Sequence, residues 1–387
     1  MWTAIHIIDI LLWILIAASV LYISLYALIS LFHRKREEYS TTGIPLSSFL
    51  IIFPAYREDA VIVHSIKQFL EQSYSQKHYH VAVVSDHMEE ATNQQLRELP
   101  ITLLTPQFEK SSKAKALQYT IEHIQKEYDY VVILDADNIV STNFLEQLNA
   151  SCQKGHIAIQ CHRCAKNSNN DVAVLDGASE EINNTIFRKA HNTIGLSSAL
   201  IGSGMCFTYQ WFKQHVNKLE SAVEDREMEA ELMKENIYIK FEENIHVFDE
   251  KVSNHENFER QRLRWLNGQI QTLLLMLPYV PKAIATLNIN YIDKTIQQAL
   301  IPRSILLVII PFFALIVLVL SPVWSIKWWG LFLLLCISLF IAIPLEMRTK
   351  TVFRKLTSLP KLVIRMLRNI LHIDKNNKEF FHTTHGG

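Results

Sequence analysis

The chain has 387 residues, and 38 Lys plus Arg stand against 38 Asp plus Glu, so its formal net charge is +0. A chain without a net field has no general attraction to polyanions, which excludes nucleic acid as a partner recognised through bulk charge. Hydrophobic residues make up 49% and charged residues 20%, a composition that excludes a disordered chain.

The apolar excess is concentrated in three blocks, Ile10 to Phe32, Ser304 to Val323 and Trp328 to Leu345. Each is long enough, at about 1.5 Å per helical residue, to cross a hydrocarbon core of about 30 Å. A multi-pass membrane protein with three crossings is therefore expected. No Lys or Arg precedes the first block, and Arg34, Lys35 and Arg36 follow it. That order predicts an anchor over residues 1–33 instead of a secretory signal, and it places the following segment in the cytoplasm of a cell bounded by an inner (plasma) membrane. The two later crossings, within 296–346, are joined by a loop whose only charge is Lys327, whereas Arg348, Lys350, Arg354 and Lys355 follow the third. The tail thus returns to the inside. Pro302, Arg303 and Pro311 predict a kinked or interfacial start to the second crossing.

Residues 34–295 are expected to form a cytosolic domain large enough for its own core. Phe49 to Phe53 reads as a strand, Glu58 to Gln72 as a helix, His80 to Val84 as a strand and Glu89 to Glu98 as a helix. Ile101 to Leu104 is a strand, Ser112 to Tyr128 a helix and Tyr130 to Leu134 a strand. Alternation of this kind predicts an α/β fold with a parallel sheet covered on both faces, and ligands bind beyond the carboxyl ends of such strands. Those ends are acidic: Tyr56, Glu58 and Asp59 after the first, Asp86 after the second, Asp135 and Asp137 after the fourth. No GxGxxG or GxxxxGK[ST] occurs there, which argues against dinucleotide and P-loop sites. Two aspartates one residue apart offer hard oxygen ligands suited to Mg²⁺ or Mn²⁺ on a diphosphate.

Cys161 and Cys164 form a CxxC without a second ligand pair, so a structural zinc site is not expected, and cytosolic cysteines predict no disulfide framework. The polar stretch Glu180 to His191 is expected to frame the cleft. Residues 268–287, with Leu273 to Leu277 followed by Pro278 and Pro281, are too short and broken to span and are expected to lie at the interface. Within 347–387, Lys355 to Ile373 has the pattern of a basic amphipathic helix on anionic lipid.

In order, PAYRED at Pro54–Asp59, Asp86, Lys113 in SSKAKALQ, the DxD of Asp135 and Asp137, Glu224–Asp225, and Gln261-Arg262-Leu263-Arg264-Trp265 resemble the motifs of family-2 glycosyltransferases. The resemblance is to the membrane-embedded branch that includes cellulose, chitin, hyaluronan and poly-N-acetylglucosamine synthases. It implies a GT-A type Rossmann-like nucleotide-sugar domain with flanking transmembrane and interfacial helices. It implies Asp225 as catalytic base, Asp137 as ligand of Mg²⁺ or Mn²⁺, and Tyr56, Glu58, Asp86, Lys113, Asp135, Gln261 and Arg264 as donor-binding residues. Gly204 and Trp265 would meet the acceptor. The tail Phe380 to Gly386 is similar to a gating loop, which would add Thr383 and His385 to the donor site. The activity implied is inverting transfer of a hexose or N-acetylhexosamine from a UDP-sugar to a growing β-linked polysaccharide, with a membrane lipid acceptor as the alternative and a non-enzymatic sugar-nucleotide sensor as the third. Carbohydrate or lipid acceptor, membrane lipids and export or assembly proteins are the partners expected.

Overall fold

The computed structural model describes residues 2–32, 43–166, 171–221, 223–251 and 255–349. The amphipathic segment, Thr383 and His385 lie outside the described residues, as do Arg34, Lys35 and Arg36.

The sheet grows from the segments in which β-branched and aromatic residues alternate with helices. Strands β1 (Phe49–Tyr56), β2 (Tyr79–Asp86), β3 (Thr102–Leu104) and β4 (Tyr130–Ile133) pair in parallel in the order β3-β2-β1-β4. Between them run helices α1 (Trp2–Ile29, ahead of the sheet), α2 (Ile62–Phe69), α3 (Glu90–Arg97) and α4 (Lys113–His123). Buried side chains form one core on each face of the sheet. Helix α2 begins four residues later than the apolar pattern predicts, because Arg57 takes a left-handed φ of 55° and Glu58 to Val61 make a turn. Helix α4 stops at His123, since Ile124 is extended.

The sheet is not wholly parallel, which corrects the sequence expectation. Beyond β4 come β5 (Ile139–Val140), α5 (Phe144–Cys152), β6 (Ala158–Ala165), α6 (Asp171–Asn183), a π-helical turn (Asn184–Lys189), α7 (Ala190–Thr193), β7 (Met205–Thr208), α8 (Tyr209–His215), α9 (Glu224–Lys234) and β8 (Ile239–Asp249). Strand β7 is antiparallel to both β4 and β6, β8 runs parallel to β6, and β5 closes the edge antiparallel to β8. The eight strands follow the order β3-β2-β1-β4-β7-β6-β8-β5.

Of the two CxxC cysteines, Cys161 is buried in the core, while Cys164 lies with His162 and His246 on the neighbouring strand, their ligand atoms within 4.8 Å of one another. Burial opposes a charge on His162, but hydrogen bonds to Cys164 and Glu181 outweigh it and push its pKa up to about 10.

The chain ends in helices α10 (His255–Met276), α11 (Val280–Ala285), α12 (Ile289–Ala299), α13 (Arg303–Leu320) and α14 (Pro322–Ala342). Three of the described helices, α1, α13 and α14, are long and apolar enough to cross a membrane. They pack on one another through a third core that includes Val20, Leu306, Ile310, Trp328 and Leu335. At the sheet end of α1, Tyr22 and Tyr26 both donate to Oδ1 of Asp293 on α12, at 2.7 and 3.0 Å. At the other end Asp9 pairs with Lys327 and accepts from the indole of fully buried Trp328 at 2.8 Å. Lys327 is therefore inside α14 and not in a loop. Pro322 starts that helix one residue after Ser321, a position where its missing N–H costs nothing, and Asp9 neutralises the lysine.

Candidate active site

The carboxyl ends of β1, β2 and β4 open into a cavity of about 950 Å³. Tyr56, Glu58, Asp86, Lys113, Asp135 and Asp137 line one side. The helix-borne residues Glu224, Asp225, Gln261, Arg264 and Trp265 line the other. Residues spread over more than 200 positions thus meet because parallel strands end together and α9 and α10 cap them.

Asp86 ends β2, buried, with Oδ1 2.6 Å from the His87 ring. Asp137 is buried; its Oδ2 accepts from the Glu250 amide at 2.8 Å and its Oδ1 from Asn138 at 3.2 Å. Asp135 pairs with Lys113, whose Nζ also bonds the Gly202 carbonyl and lies 3.7 Å from Glu224. Burial opposes the charge on Lys113, but Asp135 and Glu224 outweigh it and hold the ammonium above the ordinary lysine value. Burial likewise pushes Glu224 up to about 7, against the pull of Lys113. Asp225 sits in the first turn of α9, where the helix dipole favours a carboxylate. Its Oδ2 accepts from the Gly202 amide at 2.9 Å and its Oδ1 from the Arg226 amide at 2.9 Å. Gly202 has φ 45°, and a Cβ there would stand 3.8 Å from Asp225 Oδ2 and 3.9 Å from Lys113 Nζ.

The residues present suit a divalent cation. Glu58 is pushed up to about 9, first by burial and then by the charges of Asp137 and Asp135. Carboxylates crowded closely enough to hold a proton between them are relieved by a bound cation. Glu250 belongs to the same wall and was not singled out in the sequence; it follows a strand that its own local pattern does not announce.

Gly204 is not on the cavity wall. It is buried, and a Cβ there would meet Val247 at 3.0 Å and Cys161 at 3.3 Å, so its place is in strand packing, while Gly202 two residues earlier faces the cavity. Trp265 lines the cavity and carries the Arg262 guanidinium 4.6 Å from its ring centroid. The carbonyl of the Gln261 side chain is buried and finds no hydrogen-bond partner among the described residues. The stretch from Glu180 to His191 does frame the cleft, through Ile182, Ile186, Phe187 and Arg188. Arg163 and Arg188 also line it and went unnoticed in sequence, since neither belongs to a motif; Arg303, read in sequence only as part of the start of the second crossing, lines it too.

The mixed sheet with its acidic strand ends, capped by α9 and α10, has the architecture of a GT-A fold. Residues 45–268 match the family described as glycosyltransferase like family 2, and the chain belongs to that family. Among solved structures, the mannosyltransferase PcManGT from Pyrobaculum calidifontis, in complex with GDP-Man and Mn²⁺, is similar with a TM-score of 0.58 at 15% identity, over 97% of this chain and 100% of that one. S. aureus TarS (residues 1–349) is similar over 59% of this chain and 65% of its own, with a TM-score of 0.41 at 15% identity. No curated protein matches. The fold and family make this chain an enzyme that transfers sugar from a nucleotide-sugar.

Proposed function

We propose that the chain is an inverting, membrane-bound transferase that moves a hexose or N-acetylhexosamine from a nucleoside-diphosphate sugar to a lipid acceptor. One observation carries the choice of acceptor. The wall of the 950 Å³ cavity continues from Asp135 and Asp225 to Leu307 and Val308 of α13 and Phe332, Cys336 and Leu339 of α14. A hydrophobic acceptor tail fits among the three apolar helices while its headgroup reaches the carboxylates. Exposed Ile270, Leu274, Leu277, Ile284 and Leu287 after the QxxRW segment support an interfacial seat for the 268–287 region.

Asp225 takes the proton from the acceptor hydroxyl as its oxygen forms a bond to the anomeric carbon. The bond from that carbon to the phosphate oxygen breaks, and the electron pair leaves with the nucleoside diphosphate. The two amides on Asp225 fix the direction of its free lone pairs. Asp137, with Asp135 and Glu58, would hold Mg²⁺ or Mn²⁺, which supplies positive charge to the leaving diphosphate. Arg264 adds a guanidinium there, and Lys113 keeps Asp135 and Glu224 in register. Asp86 and Tyr56 receive the nucleoside, for which uracil is the sequence expectation and guanine the second base to test. Trp265 offers an indole face to the acceptor.

Membranes containing the enzyme, incubated with labelled UDP- and GDP-sugars, should place label in an organic-solvent-extractable product. Label in a high-mass polymer would instead support the processive polysaccharide reading, and label released only as free sugar would refute both.

A further inference from the structure

Strand β6 carries a second group of metal-binding side chains, away from the acidic strand ends. Alternate residues of a strand share a face, so His162 and Cys164 point one way and Arg163, which lines the cavity, points the other. Strand β8 runs parallel beside it, and its register jumps: Cys161 pairs with Glu242, but His162 pairs with His246. Glu243, Asn244 and Ile245 fall between the two registers. Without the jump Glu243 would stand opposite His162; with it a second imidazole does. Irregularities of this kind disrupt the ladder locally, and they often re-aim a side chain beside a functional site.

The ligand atoms of His162, Cys164 and His246 lie within 4.8 Å of one another, and the two imidazole centroids are 5.1 Å apart. Cys164 Sγ is 3.7 Å from the His162 carbonyl. Nitrogen at about 2.0–2.1 Å and sulfur at about 2.3 Å from one tetrahedral ion stand roughly 3.3–3.6 Å apart, so closure by at most about 1.5 Å completes the set. Both nitrogens of His162 face oxygen: Nδ1 is 2.9 Å from the Glu243 carbonyl, and Nε2 is 3.0 and 3.2 Å from the Glu181 carboxylate. Whichever nitrogen takes an ion, the other has an oxygen to receive its N–H, which fixes the tautomer and the ring orientation of a histidine ligand. Burial opposes a charge on His162, yet Cys164 and Glu181 keep a proton there, so the spot already favours positive charge. Burial and the charge of His162 push His246 below the ordinary histidine value, which leaves a neutral imidazole with a lone pair to give. Cys164 is half-buried and His246 exposed, so the group is open to solvent.

We propose that His162, Cys164 and His246 bind a zinc-type divalent ion at a site separate from Asp135 and Asp137. Two imidazoles and a thiolate are borderline-soft donors, which suit Zn²⁺ and disfavour Mg²⁺. On binding, the Cys164 thiol and the His162 imidazolium each release a proton, and the lone pairs so freed, with that of His246, fill three positions. Glu181, already against His162, is at hand for the fourth. The ion ties β6 to β8 across the register jump and, through Glu181, to α6, whose Ile182 frames the cavity. No ligand spacing announces the group in sequence, because Cys161 turns into the core and the third ligand arrives on β8.

The test uses the full chain without an affinity tag, reduced, in dodecyl maltoside, stripped with EDTA and titrated with Co²⁺. Cobalt thiolates show a sulfur-to-metal charge-transfer band in the near ultraviolet, which carboxylate sites lack. About one equivalent of Co²⁺ should produce the band, Zn²⁺ should remove it, and excess Mg²⁺, which suits the Asp135 and Asp137 carboxylates, should leave it in place. Cys164→Ser should abolish the band, and His246→Ala should raise the Co²⁺ concentration at its midpoint at least about tenfold. Nucleoside diphosphate affinity in Mg²⁺ should stay at the wild-type value in both variants and reports that they are folded. A wild-type chain that shows no charge-transfer band in excess Co²⁺ would overturn the site, a result that needs no variant. So would a band that survives in folded Cys164→Ser, which assigns it to another cysteine, or an unchanged midpoint in folded His246→Ala.

Discussion

Replacing Gly268 by alanine should disable transfer without touching any group that contacts donor or acceptor. Gly268 is buried one turn beyond Arg264 and Trp265 on α10, and a Cβ built there would stand 2.5 Å from Val223 Cγ1 and 3.3 Å from Cγ2. Ordinary carbon contacts begin near about 3.5 Å, so roughly 1 Å of movement is required. Val223 is β-branched and stiff at χ1, and it directly precedes Glu224 and Asp225, so α9 must shift against α10. Overpacking costs about 1–3 kcal/mol, whereas alanine in a helix interior gains about 1 kcal/mol over glycine. The clash therefore sets the sign, and a net loss of roughly 0–2 kcal/mol in stability is expected. Activity should suffer more. Misplacing a base by about 1 Å costs on the order of 10²-fold in rate. The assay is kcat and thermal midpoint for Gly268→Ala, for Val223→Ala and for the double variant. Removing the methyls of Val223 should return most of the lost rate, giving a coupling of about 1–2 kcal/mol in the cycle. Wild-type kcat and midpoint in Gly268→Ala alone would show that α10 and α9 are not in contact as described.

Other outcomes follow from the site. Asp137→Asn should abolish turnover and metal-dependent nucleotide binding together, and full activity in EDTA would contradict that role. Asp225→Asn should lower kcat by about 10²- to 10⁴-fold while nucleoside diphosphate affinity stays near wild type; an equal loss of affinity would make it a binding residue. Glu58, raised to about 9 in the metal-free protein, binds a proton in the folded state that the unfolded chain has lost above its ordinary value. Metal-free stability should therefore fall as pH rises from the ordinary carboxyl range to about 9, and Mn²⁺ binding near pH 7.5 should release protons, measured by calorimetry in buffers of different ionisation enthalpy. Glu58→Gln should abolish most of that release. Topology is tested by cysteines at the exposed positions Val323 and Leu46. An impermeant maleimide should label Val323→Cys from outside intact cells and leave Leu46→Cys unlabelled; the reverse pattern would invert the assignment.

Local pattern determined much of this protein. Twenty or so consecutive apolar residues have no other stable arrangement than a helix in lipid or in a large core, so α1, α13 and α14 were legible as elements, although α1 begins at Trp2, ahead of the block read from Ile10, and α14 at Pro322, ahead of the block read from Trp328. Strand and helix periods alternate up to Ile133, so the parallel half of the sheet and its acidic crest were legible too. The order of the glycosyltransferase motifs was a matter of residue identity alone. Tertiary structure decided the rest. Antiparallel pairing of β7 depends on which edge is free when the parallel half is complete, and no local period encodes that. Lys327 lies within α14 because Asp9, more than 300 positions away, neutralises it. Gly204 and Gly202 look alike in sequence, and only packing against Val247 sends one to the core and leaves the other at the cavity. Arg303 reads as the rim of an apolar block until α6 and α10 bring Ser179 and Arg262 beside it. Charges and apolar runs act over a few residues and can be read along the chain; the meeting of acidic strand ends, guanidinium groups and a hydrophobic cavity is set by long-range packing, which one dimension does not contain.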